Sequence, residues 1–172
     1  MKKIQKENKK QYGQFFTKNS DYILLGLEKF IKGKKVTDPF AGNKDLMKWA
    51  KKHEALSVKW YDIDTKLVDN ENVFLNDSIK NYQKYNFLLT NPPYLHKNKA
   101  SRKIKEDYFF DQNSKFEDLY QVSIKSILDS EEGIMIVPLN FLSAENSKKI
   151  REIFFEKFKI ETIFIIPHHS CG

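Results

Sequence analysis

The stretch FLLTNPPYLHKN, residues 87–98, runs an apolar segment straight into Asn91, Pro92, Pro93 and Tyr94. A proline has no ladder donor, so two in succession cannot continue into the middle of a sheet. The chain must leave its strand at Asn91 in a stiff conformation. That places an amide and a phenol on a rigid loop at a strand's C-terminal end, which is where open α/β sheets bind ligands.

Working outward, the pattern alternates between helix and strand periodicity. Residues 20–32 read as a helix capped by Asn19 or Ser20, with Ile23, Leu24, Leu27, Phe30 and Ile31 on one face and Gly33 at its end. Strands are expected at 34–42, 56–64, 72–77, 85–91, 133–139 and 161–167, and further helices at 44–53, 116–128 and 144–158. Residues 95–115 read as a polar, basic loop. Such alternation predicts an α/β domain with a doubly wound, largely parallel sheet. The connection between the second and third strands is too short for a full crossover helix.

The bulk composition sets limits. The 172 residues suffice for one domain with its own core, and the 40% hydrophobic content is that of a globular chain. No apolar run reaches the length of a membrane span, and the lysine-rich N-terminus lacks a secretory signal's apolar segment. The single cysteine, Cys171, excludes an internal disulfide. These features predict a cytoplasmic protein. A net charge of +7 invites a polyanionic partner, although the excess is almost wholly lysine and equally fits a general compositional bias. The arginines are Arg102 and Arg151 alone, so no guanine-reading module is evident. His168, His169 and Cys171 imitate a metal site but lack a fourth ligand nearby, and no metal is expected.

The expected strand ends collect polar residues in order: Asp38-Pro39-Phe40-Ala41-Gly42-Asn43, Tyr61-Asp62-Ile63-Asp64, Asn76-Asp77-Ser78, then Asn91-Pro92-Pro93-Tyr94. In a parallel sheet these ends share one edge. An acidic group after the second strand suits a ribose, and a glycine turn after the first lets backbone approach a ligand. Each signal alone is weak, since an aspartate at a strand end is usually a turn former. Their joint occurrence is what carries meaning.

These motifs resemble the catalytic domain of the amino-methylating DNA methyltransferases, in the adenine-N6 group whose cofactor motifs precede the catalytic one, as in restriction–modification systems. GQFFT (13–17) looks like the N-terminal cofactor motif and DPFAGNKDLM (38–47) like the methionine-binding motif. YDID (61–64) and NDS (76–78) resemble the ribose and adenine motifs. NPPY is the family's catalytic signature, and LYQVSIKSIL (119–128) and IVPLNFLSAENSKKIREIFF (136–155) resemble the segments that follow it. The resemblance implies a Rossmann-like fold dependent on S-adenosylmethionine, with a mostly parallel sheet, helices on both faces, and a C-terminal end open to truncation. It implies a basic tail over 1–11 and a catalytic domain over 12–172 that lacks a target-recognition domain.

Residue by residue, the resemblance implies that Thr17 helps hold the methionine carboxylate. Asp38, Pro39, Phe40, Ala41 and Gly42 line the methionine end. Asp62, with Ile63 beside it, accepts the ribose hydroxyls, and Asp77, with Ser78, meets the adenine. Asn91 and the Pro92 carbonyl accept the target amine, Pro93 stiffens the turn, and Tyr94 stacks on a flipped base. Lys44 stands where the family often has a small residue, and points either to solvent or to the cofactor carboxylate. The implied partner is DNA, together with a separate or downstream recognition domain or subunit. The alternative readings are an RNA adenine-N6 methyltransferase, an inactive cofactor-binding fragment, and half of a split enzyme.

Overall fold

The computed structural model of the chain describes residue 17, residues 19–69 and residues 71–166. The basic tail, all of GQFFT except Thr17, and the terminal PHHSCG with His168, His169 and Cys171 lie outside the described residues.

Among the described residues, five strands form one sheet in which every pairing is parallel: β1 (Lys35–Asp38), β2 (Ser57–Asp62), β3 (Val73–Leu75), β4 (Tyr85–Thr90) and β5 (Ser130–Met135), in the order β3-β2-β1-β4-β5. The helices are α1 (Ser20–Ile23), α2 (Glu28–Ile31), α3 (Asp45–Lys52), α4 (Arg102–Tyr108), α5 (Leu119–Ser126), α6 (Asn140–Ser143) and α7 (Lys148–Lys157). The order of the strands reverses between β1 and β4, so the loops after these two strands flank a crevice at the C-terminal edge.

The sheet separates two cores. Phe87 and Leu89 of β4 face Val36, Trp60 and Val73 together with Ile31, Met47 and Trp49 of the early helices. Leu88, between them in sequence, joins Tyr61, Tyr85 and Ile127 instead, as a strand's alternation requires. Leu95, Ile104, Tyr108, Tyr120, Ile124, Phe141 and Ile150 build a third cluster under the segment that follows NPPY. Burying each such side chain contributes roughly 1.5–3 kcal/mol. Gly133 of β5 lies so close to β4 that a Cβ there would meet the Leu88 carbonyl oxygen at 2.6 Å, and this keeps the two strands tightly paired.

Several expectations are corrected. The helix expected over 20–32 is two short turns, α1 and α2, because Gly26 adopts φ +85 between them. The fifth strand starts three residues earlier than periodicity suggested, since its register runs Tyr85 to Ser130 through Thr90 to Met135. The loop expected over 95–115 contains α4, started by Ser101, whose Oγ accepts from the Ile104 N–H at 3.3 Å. The helix expected over 144–158 is α7, preceded by a turn of 3-10 helix at Glu145–Ser147. Residues 161–166 of the expected sixth strand form no strand, and Ile163, Phe164 and Ile165 are exposed. An apolar run becomes a strand only when a neighbour supplies its ladder, and none of the described strands pairs with it.

The short connection from β2 to β3 is organised by one carboxylate. Asp69 Oδ1 accepts from the N–H groups of Glu71, Asn72 and Val73, and its Oδ2 accepts from Lys44 Nζ at 2.8 Å. Lys44, with three backbone donors behind it, holds the Asp69 carboxyl below the usual carboxylate range. Lys44 thus ties the β1 loop to this connection, which neither expectation for it foresaw.

Candidate active site

The loop after β1 turns sharply because Gly42 and Lys44 both take left-handed conformations. It is stitched to β2 by two bonds: the Ala41 N–H donates to the Tyr61 carbonyl at 2.9 Å, and the Gly42 N–H donates to Asp62 Oδ2 at 2.8 Å. Asp62 Oδ1 accepts from the Asp64 N–H at 2.8 Å. Burial raises the Asp62 pKa, against the lowering effect of those backbone donors.

Two cavities adjoin along this edge. The larger, about 620 Å³, is lined by Asp62 and Asp77 with Pro39, Phe40, Ile63, Ser78, Ile79, Pro93, Tyr108 and Leu119. The smaller, about 240 Å³, is more polar, with Thr17, Asp38, Asn43 and Asp45 in its wall. Phe40, Gly42 and Asn91 belong to both, so Asn91 stands at their junction.

A chain of hydrogen bonds fixes Asn91. Its Nδ2 donates to Thr17 Oγ1 at 3.0 Å, which turns Oδ1 the other way, where the Tyr94 hydroxyl donates to it at 2.5 Å. The same hydroxyl lies 2.7 Å from the Ile136 carbonyl, just past β5. One phenolic proton thus faces two carbonyl acceptors. Beneath Asn91, the Thr90 hydroxyl donates to Asp38 Oδ1 at 2.7 Å, and the Phe40 N–H donates to the same oxygen at 3.0 Å. Asp38 is buried, and desolvation pushes its pKa up to about 7, helped by the nearby charge of Asp62 and opposed by its two donors.

The profile of the Eco57I restriction-modification methylases matches residues 23–171, nearly the whole chain. The chain belongs to the Eco57I restriction-modification methylase family. No curated protein sequence matches it. Among solved structures, it resembles a proposed RNA methyltransferase of Pyrococcus horikoshii at 18% identity, with a TM-score of 0.58 over 86% of this chain and 71% of that one. At that identity the likeness speaks for the fold, a Rossmann-like methyltransferase fold.

For this methylase, the residues singled out in the sequence largely converge. Thr17, Asp38, Phe40, Ala41, Gly42 and Asn91 line the smaller cavity. Pro39, Phe40, Gly42, Asp62, Ile63, Asp77, Ser78, Asn91 and Pro93 line the larger one. Pro92 is buried and lines neither. Tyr94 also lines neither and is turned back onto Asn91. Sequence reasoning missed Tyr108, Ile79, Leu119 and the Ile136 carbonyl. For Tyr108 a signal existed: Ser101 is a good N-cap, and Ile104 and Tyr108 follow at helical spacing. The Ile136 carbonyl had none, because which carbonyl meets a side chain 42 residues away is a matter of register.

Proposed function

We propose that this chain is the catalytic domain of an adenine-N6 DNA methyltransferase that uses S-adenosylmethionine. The observation that carries the reading is Asn91, held by Thr17 with its carbonyl oxygen directed away, at the junction of an apolar cavity bearing two carboxylates and a polar one. The residues fit such a cofactor. Asp62 and Asp77, with Ile63, Ile79 and Pro39, suit a ribose and a flat base, and Thr17, Asp38 and Asp45 suit an amino-acid group. When bound, S-adenosylmethionine supplies an electrophilic methyl group.

An exocyclic amine is a poor nucleophile because its lone pair is delocalised into the ring. Asn91 Oδ1 and the Pro92 carbonyl accept its two N–H bonds and so favour a tetrahedral nitrogen. Its lone pair would then be directed at the cofactor's electrophilic methyl group, and the proton the amine sheds would pass to solvent. Holding this geometry in a fixed, partly dry site is the main catalytic contribution. The incoming amine must replace the Tyr94 hydroxyl at Asn91. The phenolic proton then turns to the Ile136 carbonyl 2.7 Å away, so no buried donor is left unpaired. Freed of Asn91, the Tyr94 ring serves as a stacking face for a base taken out of the duplex.

The test is transfer of a tritiated methyl group from S-adenosylmethionine to unmethylated duplex DNA, with the product base identified by mass spectrometry. N6-methyladenine in DNA supports the reading. Methylation confined to structured RNA assigns the RNA alternative, and labelling of cytosine removes the adenine assignment.

A further inference from the structure

Lys44 lines neither cavity, yet it joins the two segments that hold Asp62. Its backbone closes the turn after β1: the N–H donates to the Ala41 carbonyl at 2.9 Å, and the carbonyl accepts from the Lys48 N–H at 3.0 Å to start α3. It does so in the left-handed region, at φ 68, which residues other than glycine seldom adopt. Its Nζ donates to Asp69 Oδ2 at 2.8 Å and lies 5.6 Å from the centre of the buried Trp60 ring. Asp69 is fixed from its other side, because Oδ1 accepts from the N–H groups of Glu71, Asn72 and Val73. Asp62 stands between the same two segments. One of its oxygens accepts from Gly42 in the β1 loop, the other from Asp64 in the β2–β3 connection.

We propose that Lys44 is a positioning residue: paired with Asp69, it clasps the β1 loop to the β2–β3 connection and so presets Gly42 and Asp62 before the cofactor arrives. This rests on the reading of the two cavities as an S-adenosylmethionine site. Ala41 and Gly42 tie the loop to the end of β2, and the Lys44–Asp69 pair ties it to the connection beyond Asp62. Two points of attachment stop one segment from pivoting on the other. Without the outer one, the loop is free to leave its left-handed turn, Asp62 loses its Gly42 donor, and only part of the population keeps the cavities in shape. The apparent affinity for a ligand falls in proportion to that part. The pair is partly exposed, so its effect on binding is modest in size.

The experiment measures S-adenosylhomocysteine affinity by calorimetry on the intact chain, with the Tm of the unliganded protein followed in parallel. Lys44→Gly suits the left-handed backbone and removes the clasp. Asp69→Asn keeps an oxygen for the backbone donors and replaces the one that meets Lys44. Each variant is expected to bind roughly three- to tenfold more weakly than wild type, the effect of one charged hydrogen bond at a partly exposed site. The double variant is expected to bind no more weakly than either single one, because both changes break the same tie. A Lys44→Gly chain that binds like wild type, or losses that add in the double variant, overturns the proposal. A lowered Tm with unchanged affinity also overturns it and assigns the pair to stability alone. In each of these outcomes the wild-type chain still binds and the cofactor reading stands. Absence of binding by the wild-type chain overturns both.

Discussion

Asn91 shares its amide between a hydroxyl that receives from it and a phenol that donates to it. Asn91→Ala is expected to abolish methyl transfer while changing S-adenosylhomocysteine affinity only a few-fold, because the lost acceptor is used on the transferring amine. Single-turnover kinetics and calorimetry on the same variant check the two halves. For Tyr94 the ring and the hydroxyl separate. Tyr94→Phe keeps the stacking face and is expected to retain activity within about tenfold. Tyr94→Ala is expected to lose roughly 100-fold, the upper end of one base–aromatic stack. Asp38 predicts a pH effect. Its folded pKa of about 7 lies above the ordinary aspartate value of 3.8 expected in the unfolded chain, so its contribution to stability is complete below about pH 4 and is lost as pH rises through 7. The limit is roughly 4 kcal/mol between those values. Thermal unfolding followed from pH 4.5 to 7.5 should show wild-type stability falling relative to Asp38→Asn, which keeps an acceptor for Thr90. Parallel curves would mean that Asp38 is ionised throughout.

Helix α4 brings charge and recognition into one element. Ile104 and Tyr108 face inward to the core and the larger cavity, while Arg102 and Lys103 are exposed and Arg102 pairs with Glu106 at 2.7 Å. With the 3-10 turn at Lys97–Lys99 it directly follows NPPY, and on the proposed reading its basic side meets phosphates near a flipped base. Replacing Lys99, Lys103 and Lys105 with glutamine is expected to lower the salt slope of duplex DNA binding by about two to three units. Fluorescence anisotropy across a salt series measures it, and an unchanged slope would leave these lysines to solubility alone. This helix was written in the sequence at Ser101, Ile104 and Tyr108, yet the surrounding lysines made the stretch read as a loop. Charge density describes the solvent side of an element and hides a short inward face.

The order β3-β2-β1-β4-β5 brings residues from four separate strand ends to one edge, and ligand binding there should stabilise the whole sheet. S-adenosylhomocysteine at about 100 times its dissociation constant is expected to add roughly 2.7 kcal/mol, a rise in Tm of about 5–10 °C for a domain of this size. Differential scanning fluorimetry reads it directly, and a flat Tm would argue against a cofactor site. Much of this arrangement was legible in one dimension. Each strand's apolar run, and the polar residues at Asp38, Asp62, Asp77 and Asn91 that end it, are local features, because a chain leaving a parallel sheet changes its residue types at the same point. The early start of β5 and the lack of a described partner strand for residues 161–166 were not local. Each depends on what a neighbouring strand or helix offers, and periodicity is silent on partners. The same holds within the site. The sequence alone marked Asn91 and Tyr94, but the shared phenolic proton, the Ile136 carbonyl and the grip of Tyr108 on Asp77 exist only because the fold brings residues 31 to 42 positions apart within hydrogen-bond reach.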